Sequence, residues 1–126
     1  MSRIIIADDD PVICHLVTSI LEREGHYVAS LPDGNRVADL AEARAPNLLI
    51  LDVAMPGKSG LDVLREIRAQ IGWSMPVLML TGRSGREDER IAYGAGANDY
   101  LRKPVDPDEL VVRTEAILEK AALRVA

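Results

Sequence analysis

Unbroken apolar runs alternate along this chain with stretches in which apolar residues recur every three or four positions. Ile4-Ile5-Ile6-Ala7, Leu48-Leu49-Ile50-Leu51 and Val77-Leu78-Met79-Leu80 have no polar face. Each predicts a strand covered on both sides, as in a parallel sheet. Tyr27-Val28-Ala29-Ser30 and Asp99-Tyr100-Leu101-Arg102 predict two further short strands. Between the strands the period lengthens. Ile13, Leu16, Val17, Ile20 and Leu21 form the apolar face of a helix that Asp10 caps, Pro11 opens and Gly25 ends. Val37, Leu40 and Ala41 mark a second helix, entered through Pro32-Asp33-Gly34 and closed by Pro46. Leu61, Leu64, Ile67 and Ile71 mark a third, ended by Gly72. A fourth, over residues 86–95, is rich in charge, with few large apolar residues besides Ile91, and is expected to be the least firmly packed. Asp106-Pro107-Asp108-Glu109 opens a fifth with acid in its first turn. Leu110, Thr114, Ile117 and Leu118 give that helix its inner face.

Alternation of strand and helix at this spacing implies right-handed crossovers and a parallel sheet with helices on both faces. The predicted fold is α/β: a doubly wound (βα)5 sandwich forming one domain over residues 1–126, with no linker or low-complexity stretch. The strand order 2-1-3-4-5 is adopted from common doubly wound sheets of this size rather than read from the residues.

Ligands of such sheets bind at the carboxyl ends of the strands. Here the first strand is followed by Asp8 and Asp9, the third by Asp52, the fourth by Thr81 and the fifth by Lys103. In the adopted order these strands are neighbours, so the groups converge on one rim. Three carboxylates in one cleft raise one another's pKa, and a divalent cation relieves the repulsion. Oxygen donors without His or Cys suit a hard ion, Mg²⁺, which keeps waters and accepts phosphate oxygens. A metal, an ammonium and a hydroxyl around a carboxylate can neutralise a transferring phosphoryl group, with Asp52 as the nucleophile that becomes an aspartyl phosphate. Taken singly, each residue also has an ordinary reading. Asp8-Asp9-Asp10 can serve as capping acid, Asp52 and Thr81-Gly82 as turn residues, Lys103 as a solvated loop lysine and Tyr100 as a half-buried strand aromatic. Their joint placement favours the site.

Charge and composition narrow the partners. A net charge of −5 argues against nucleic acid as a direct partner of this domain. The single cysteine, Cys14, excludes an internal disulfide or a cysteine metal cluster and fits a reducing, cytoplasmic setting. The first residues lack a signal-peptide pattern, and no apolar run approaches membrane-spanning length. With no phenylalanine, the core must be aliphatic.

Four segments together resemble the response-regulator receiver domains of bacterial two-component signalling, over essentially the whole chain. They are Asp8-Asp9 after the first strand, Leu51-Asp52-Val53-Ala54-Met55-Pro56-Gly57 with Gly60, Leu80-Thr81-Gly82-Arg83, and residues 96–104 ending in Lys103-Pro104. The resemblance implies a flavodoxin-like fold and a switch rather than an enzyme, acting only on itself. Asp52 would accept a phosphoryl group from a histidine kinase or histidine phosphotransfer protein. Asp9 and Asp52 would bind Mg²⁺ directly, with the Ala54 backbone carbonyl, and Asp8 largely through water. Lys103 would pair with the phosphoryl group. Thr81 would move toward it, with Gly82 beside it leaving the donor room, and Tyr100 would be the rotating switch aromatic. Ala54 and Arg83 match the family's rate-tuning positions. The Lys103–Pro104 bond would be cis. Helix 4, strand 5 and helix 5 would form the output surface toward a protein partner, an attached output domain or a phosphorylation-dependent dimer. The kinase would dock near Pro11, Ile13, Cys14 and Val17 and the loop after Lys103.

Rival readings fit less well. A dehalogenase-type phosphatase needs a second acid two residues after its nucleophile, and Ala54 stands there. A flavodoxin-like electron carrier needs a phosphate loop after the first strand, where three aspartates would repel FMN. A degenerate receiver used only for binding would not need the acid, Thr and Lys positions all filled.

Overall fold

The computed structural model describes residues 1–82 and 86–125. Its strands are β1 (Arg3–Ala7), β2 (Tyr27–Leu31), β3 (Leu48–Asp52), β4 (Val77–Thr81) and β5 (Asp99–Arg102). Its helices are α1 (Pro11–Arg23), α2 (Val37–Arg44), α3 (Gly60–Gln70), α4 (Arg86–Gly94) and α5 (Pro107–Val125). All strand pairings are parallel, in the order β2-β1-β3-β4-β5. The predicted fold class and order both hold.

Strand alternation divides the core between the two faces. Ile5, Ala7, Leu49, Leu51, Val77 and Met79 face α2, α3 and α4. Ile4, Ile6, Leu48, Ile50, Leu78 and Leu80 face α1 and α5. β3 and β4 are buried along their whole length, which explains why their sequences show no polar face. The outer strand β2 is mostly exposed. Each fully buried Leu or Ile contributes roughly 1.5–3 kcal/mol, so an aliphatic core suffices without phenylalanine.

Caps fix where the helices start. Asp10 accepts from the Val12 N–H at 2.9 Å with Pro11 behind it, as expected. Ser59 accepts from the Asp62 N–H at 3.1 Å and fixes the start of α3, immediately after the Asp52 loop. Ser59→Ala is expected to destabilise the fold by about 1 kcal/mol in urea unfolding.

Several sequence expectations need correction. In α3 Leu64 and Ile67 are fully buried as expected, but Val63 joins them, whereas Leu61 is only partly covered and Ile71 lies past the helix end. In α4 Ile91 is exposed and Ala92 is the buried residue, so this helix is anchored by a methyl group. Cys14 and Val17 point into the core and cannot form a docking face. The exposed side chains at that end of α1 are Pro11, Val12 and His15. The Lys103–Pro104 peptide is cis, as the resemblance implies.

Candidate functional site

The carboxyl edge of the sheet gathers the charged residues that the sequence singled out. Asp8 follows β1 and is buried, and its neighbour Asp9 is exposed. Asp52 is the last residue of β3 and is only 2% exposed. Lys103 follows β5 and reaches across the edge. Its Nζ lies 3.0 Å from Asp8 Oδ2 and donates to Asp52 Oδ1 at 3.1 Å. Thr81 ends β4 as a buried residue, and its carbonyl accepts from the Lys103 N–H at 2.7 Å. That bond ties the lysine's backbone to the threonine's strand. Gly82 and Ala54 are exposed beside the pocket. Arg83 lies outside the described residues.

Local backbone geometry holds each acid. The Asp10 N–H donates to Asp8 Oδ1 at 2.9 Å, so the start of α1 orients the first carboxylate. The Cys14 thiol donates to the Asp8 carbonyl at 3.3 Å, a support that no spacing rule had suggested. The Ala54 N–H donates to Asp52 Oδ1 at 3.4 Å. Beneath Asp52, the Gly60 N–H donates to the Val53 carbonyl at 2.9 Å. A Cβ on Gly60 would stand 2.0 Å from the Asp52 carbonyl oxygen. Here glycine provides room for the start of α3 to lie directly against the backbone of the acid.

Electrostatics follow from this packing. Burial, reinforced by the Asp8 charge, pushes the Asp52 carboxyl up to about 6, although Lys103 and the Ala54 N–H oppose the shift. The two acids hold the Lys103 ammonium above its ordinary value against the desolvation that would lower it.

One oxygen of each of Asp8, Asp9 and Asp52 lies within 4.8 Å of the others. Asp8 Oδ2 is fully buried and accepts no aligned hydrogen bond; the nearby ammonium gives it charge without that alignment. A set of carboxylate oxygens with one lacking a donor fits a hard divalent cation. The pocket could therefore hold a metal ion.

Tyr100 is buried at 4% exposure, further inside than the half-buried position its strand suggested. Its hydroxyl has no hydrogen-bond partner among the described residues, and its ring lies 6.5 Å from that of Tyr93. The Tyr93 hydroxyl donates to Asp99 Oδ1 at 3.1 Å, and Arg113 grips the same carboxylate at 2.6 Å. Burial and the Asp99 charge push the Tyr93 hydroxyl up to about 12.

A five-stranded parallel α/β sheet with clustered acids and a lysine at its carboxyl edge defines a domain built to manage charge at one rim. The response regulator receiver domain family matches residues 4–115, and the chain belongs to that family. It is thus a receiver domain of two-component signalling. The DNA-binding response regulator MtrA of Mycolicibacterium smegmatis is 37% identical over 118 residues, which are 94% of this chain and 51% of that protein. The chain therefore spans about half the length of the curated relatives it matches. Among solved structures, a CheY-like receiver domain protein from Methanospirillum hungatei superposes with a TM-score of 0.91 at 28% identity, covering 98% of both chains. The BeF3-activated receiver domain of Klebsiella pneumoniae RstA superposes with a TM-score of 0.85 at 29% identity, covering 92% of this chain and 97% of that one. No helix among the described residues is long and apolar enough to cross a membrane.

Proposed function

We propose that this chain is a Mg²⁺-dependent phosphoswitch with Asp52 as the phosphoacceptor. The observation that carries the reading is the convergence of Asp8, Asp52 and Lys103, with the lysine nitrogen 3.0–3.1 Å from both acids. Asp9, Asp52 and the Ala54 carbonyl would hold the ion, with Asp8 assisting beside them. Bound there, Mg²⁺ supplies positive charge that offsets the carboxylates and the transferring phosphoryl oxygens. An Asp52 carboxylate oxygen attacks phosphorus, the bond from phosphorus to the donor imidazole nitrogen breaks, and the imidazole leaves. Lys103 then exchanges part of its pairing with the acids for the new phosphoryl oxygens. Thr81 donates its hydroxyl to one of them, and Gly82 leaves the approach open.

The donor is a histidine kinase or a histidine phosphotransfer protein. It docks over α1 near Pro11, Val12 and His15 and over the loop after Lys103. Tyr100 couples the site to the α4-β5-α5 surface, which acts on a protein partner, an attached output domain or a second phosphorylated copy. Residues 1–126 act as one receiver domain that makes no direct nucleic-acid contact. Ala54 and Arg83 set the lifetime of the phosphoryl group.

Intact mass after incubation with Mg²⁺ and acetyl phosphate tests this directly. One phosphoryl group is expected on the wild type, none after EDTA treatment and none on Asp52→Asn. An adduct that persists in Asp52→Asn moves the acceptor elsewhere. No adduct on the wild type, even with candidate kinases, leaves a domain that acts by binding alone.

A further inference from the structure

Helix α4 is held very unequally along its length. Its first residues, Arg86, Glu87 and Arg90, are exposed, and Arg90 pairs with Glu87 at 3.8 Å in the open. The Arg102–Glu89 contact at 3.1 Å is also substantially exposed. Such pairs contribute on the order of 0–1 kcal/mol. The one buried residue of the helix, Ala92, lies in its second half.

Just beyond the last turn stands Arg68 of α3, only 8% exposed. Its Nε and Nη2 donate to the Gly96 carbonyl at 3.1 and 2.6 Å. Its Nη1 donates to the Gly72 and Met75 carbonyls at 2.9 and 2.5 Å. Nη2 also reaches Asn98 Oδ1 at 3.1 Å, and that oxygen accepts the Val77 N–H at 2.8 Å. Trp73 covers the guanidinium at 5.6 Å. Gly96, at φ +110°, is the turn that closes α4. Its N–H donates to Tyr93, and the Ala97 N–H donates to Ala92. A Cβ on Gly96 would stand 2.7 Å from Arg68 Nε. One side chain thus fastens the exit of α4 to the end of α3 and the entry of β4.

We propose that Arg68 is the fixed end of the switch: α4 responds to phosphorylation by pivoting about the Gly96 turn, so that motion is confined to the end that begins at Arg86. This inference rests on the phosphoswitch reading and adds to it where the motion stops. The reason is energetic. Releasing the Gly96 carbonyl would break two hydrogen bonds from a buried guanidinium and leave that carbonyl without its donor, whereas the ion pairs described at the first turns of α4 are exposed to solvent.

Amide hydrogen exchange on the full chain tests it, with and without Mg²⁺ and acetyl phosphate, alongside the intact-mass readout. In the wild type, exchange in segments covering residues 86–91 is expected to respond to acetyl phosphate, while residues 94–98 stay protected. In Arg68→Met, exchange over 92–98 is expected to quicken roughly tenfold or more without phosphodonor. The response to phosphodonor then spreads to 94–98, with the yield of the Asp52 adduct unchanged. Arg68→Lys keeps the cation but not the fork; it should fall between the two and serves if the methionine variant does not fold. Equal responses at both ends of wild-type α4, or wild-type protection of 92–98 in the variants, would overturn the pivot while an adduct upholds the phosphoacceptor. A wild type that never acquires the adduct would overturn both together.

Discussion

Gly60→Ala is expected to destabilise the fold by about 3 kcal/mol or more, and so to rank among the most damaging single-methyl additions available in this chain. The added Cβ would stand 2.0 Å from the Asp52 carbonyl oxygen, 2.7 Å from its carbonyl carbon and 3.0 Å from the Val53 Cα. All three are backbone atoms at or just past the end of β3, so no side chain can rotate away to make room. The start of α3 must retreat, which stretches the Gly60–Val53 hydrogen bond and shifts the Ser59 cap. The same retreat moves the backbone that aims Asp52 and Ala54, so phosphoryl uptake should fall along with stability. Urea unfolding and intact mass on the same preparation check both. A variant with wild-type stability would show that the helix start yields easily and that Gly60 does not set the acid's position.

The second large effect has the opposite sign. Asp52→Asn is expected to abolish phosphoryl uptake and, in the presence of chelator, to stabilise the fold at pH 7.5 by about 2–3 kcal/mol, or roughly 5–10 °C in Tm. The Asp52 carboxyl is raised to about 6 by burial first and the Asp8 charge second, against an unfolded value near 3.8. Above pH 6 it is ionised in both states, and the folded chain bears the full cost of that charge. Below about pH 4 it is protonated in both states and the cost is gone. From this group, therefore, wild-type stability rises as pH falls from about 6 to about 4, and the advantage of the asparagine variant shrinks to nothing over the same interval. Saturating Mg²⁺ should stabilise the wild type more than the variant and narrow the gap at pH 7.5. Thermal unfolding of both proteins across this pH range, with EDTA and with Mg²⁺, reads all of this. A variant less stable than the wild type in EDTA would mean that the Lys103 contacts outweigh burial and acid repulsion.

The two substitutions show what the sequence could and could not reveal. The unbroken runs of β1, β3 and β4 carried the strands, because residues buried on both faces leave no polar periodicity. Once the strands were in place, their ends pointed to Asp8, Asp52, Thr81 and Lys103, since parallel sheets expose chemistry at that edge. The structure brings Asp8, Asp52 and Lys103 into contact and ties Lys103 to the end of β4. What stayed hidden depended on atoms the pattern does not encode. Val63 was passed over because Leu61 and Ile71 fit the same helical spacing, and the Ser59 cap with the tight Gly60 packing decides which face turns inward. Ala92 rather than Ile91 anchors α4 because it is the residue on the side of the helix that packs into the core, while Ile91 stands toward solvent. Nothing in the sequence pattern singles out Arg68. Its burial makes sense only when the Gly72, Met75 and Gly96 carbonyls are known to converge on one point, which depends on two connections far apart in sequence, α3–β4 and α4–β5.

Trp73 over Arg68 has a practical optical meaning. It is the chain's one tryptophan, it is 63% exposed, and it precedes β4 at the end of the sheet opposite Asp52. Its emission therefore samples the guanidinium stack and the solvent around it, not the acid pocket. Filling that pocket with an ion or a phosphoryl group should leave the fluorescence nearly flat, while loss of the stack should change its intensity and colour. The chain thus carries a built-in dye for the far end of the domain, and any light signal for the near end must be supplied by a tryptophan placed there on purpose.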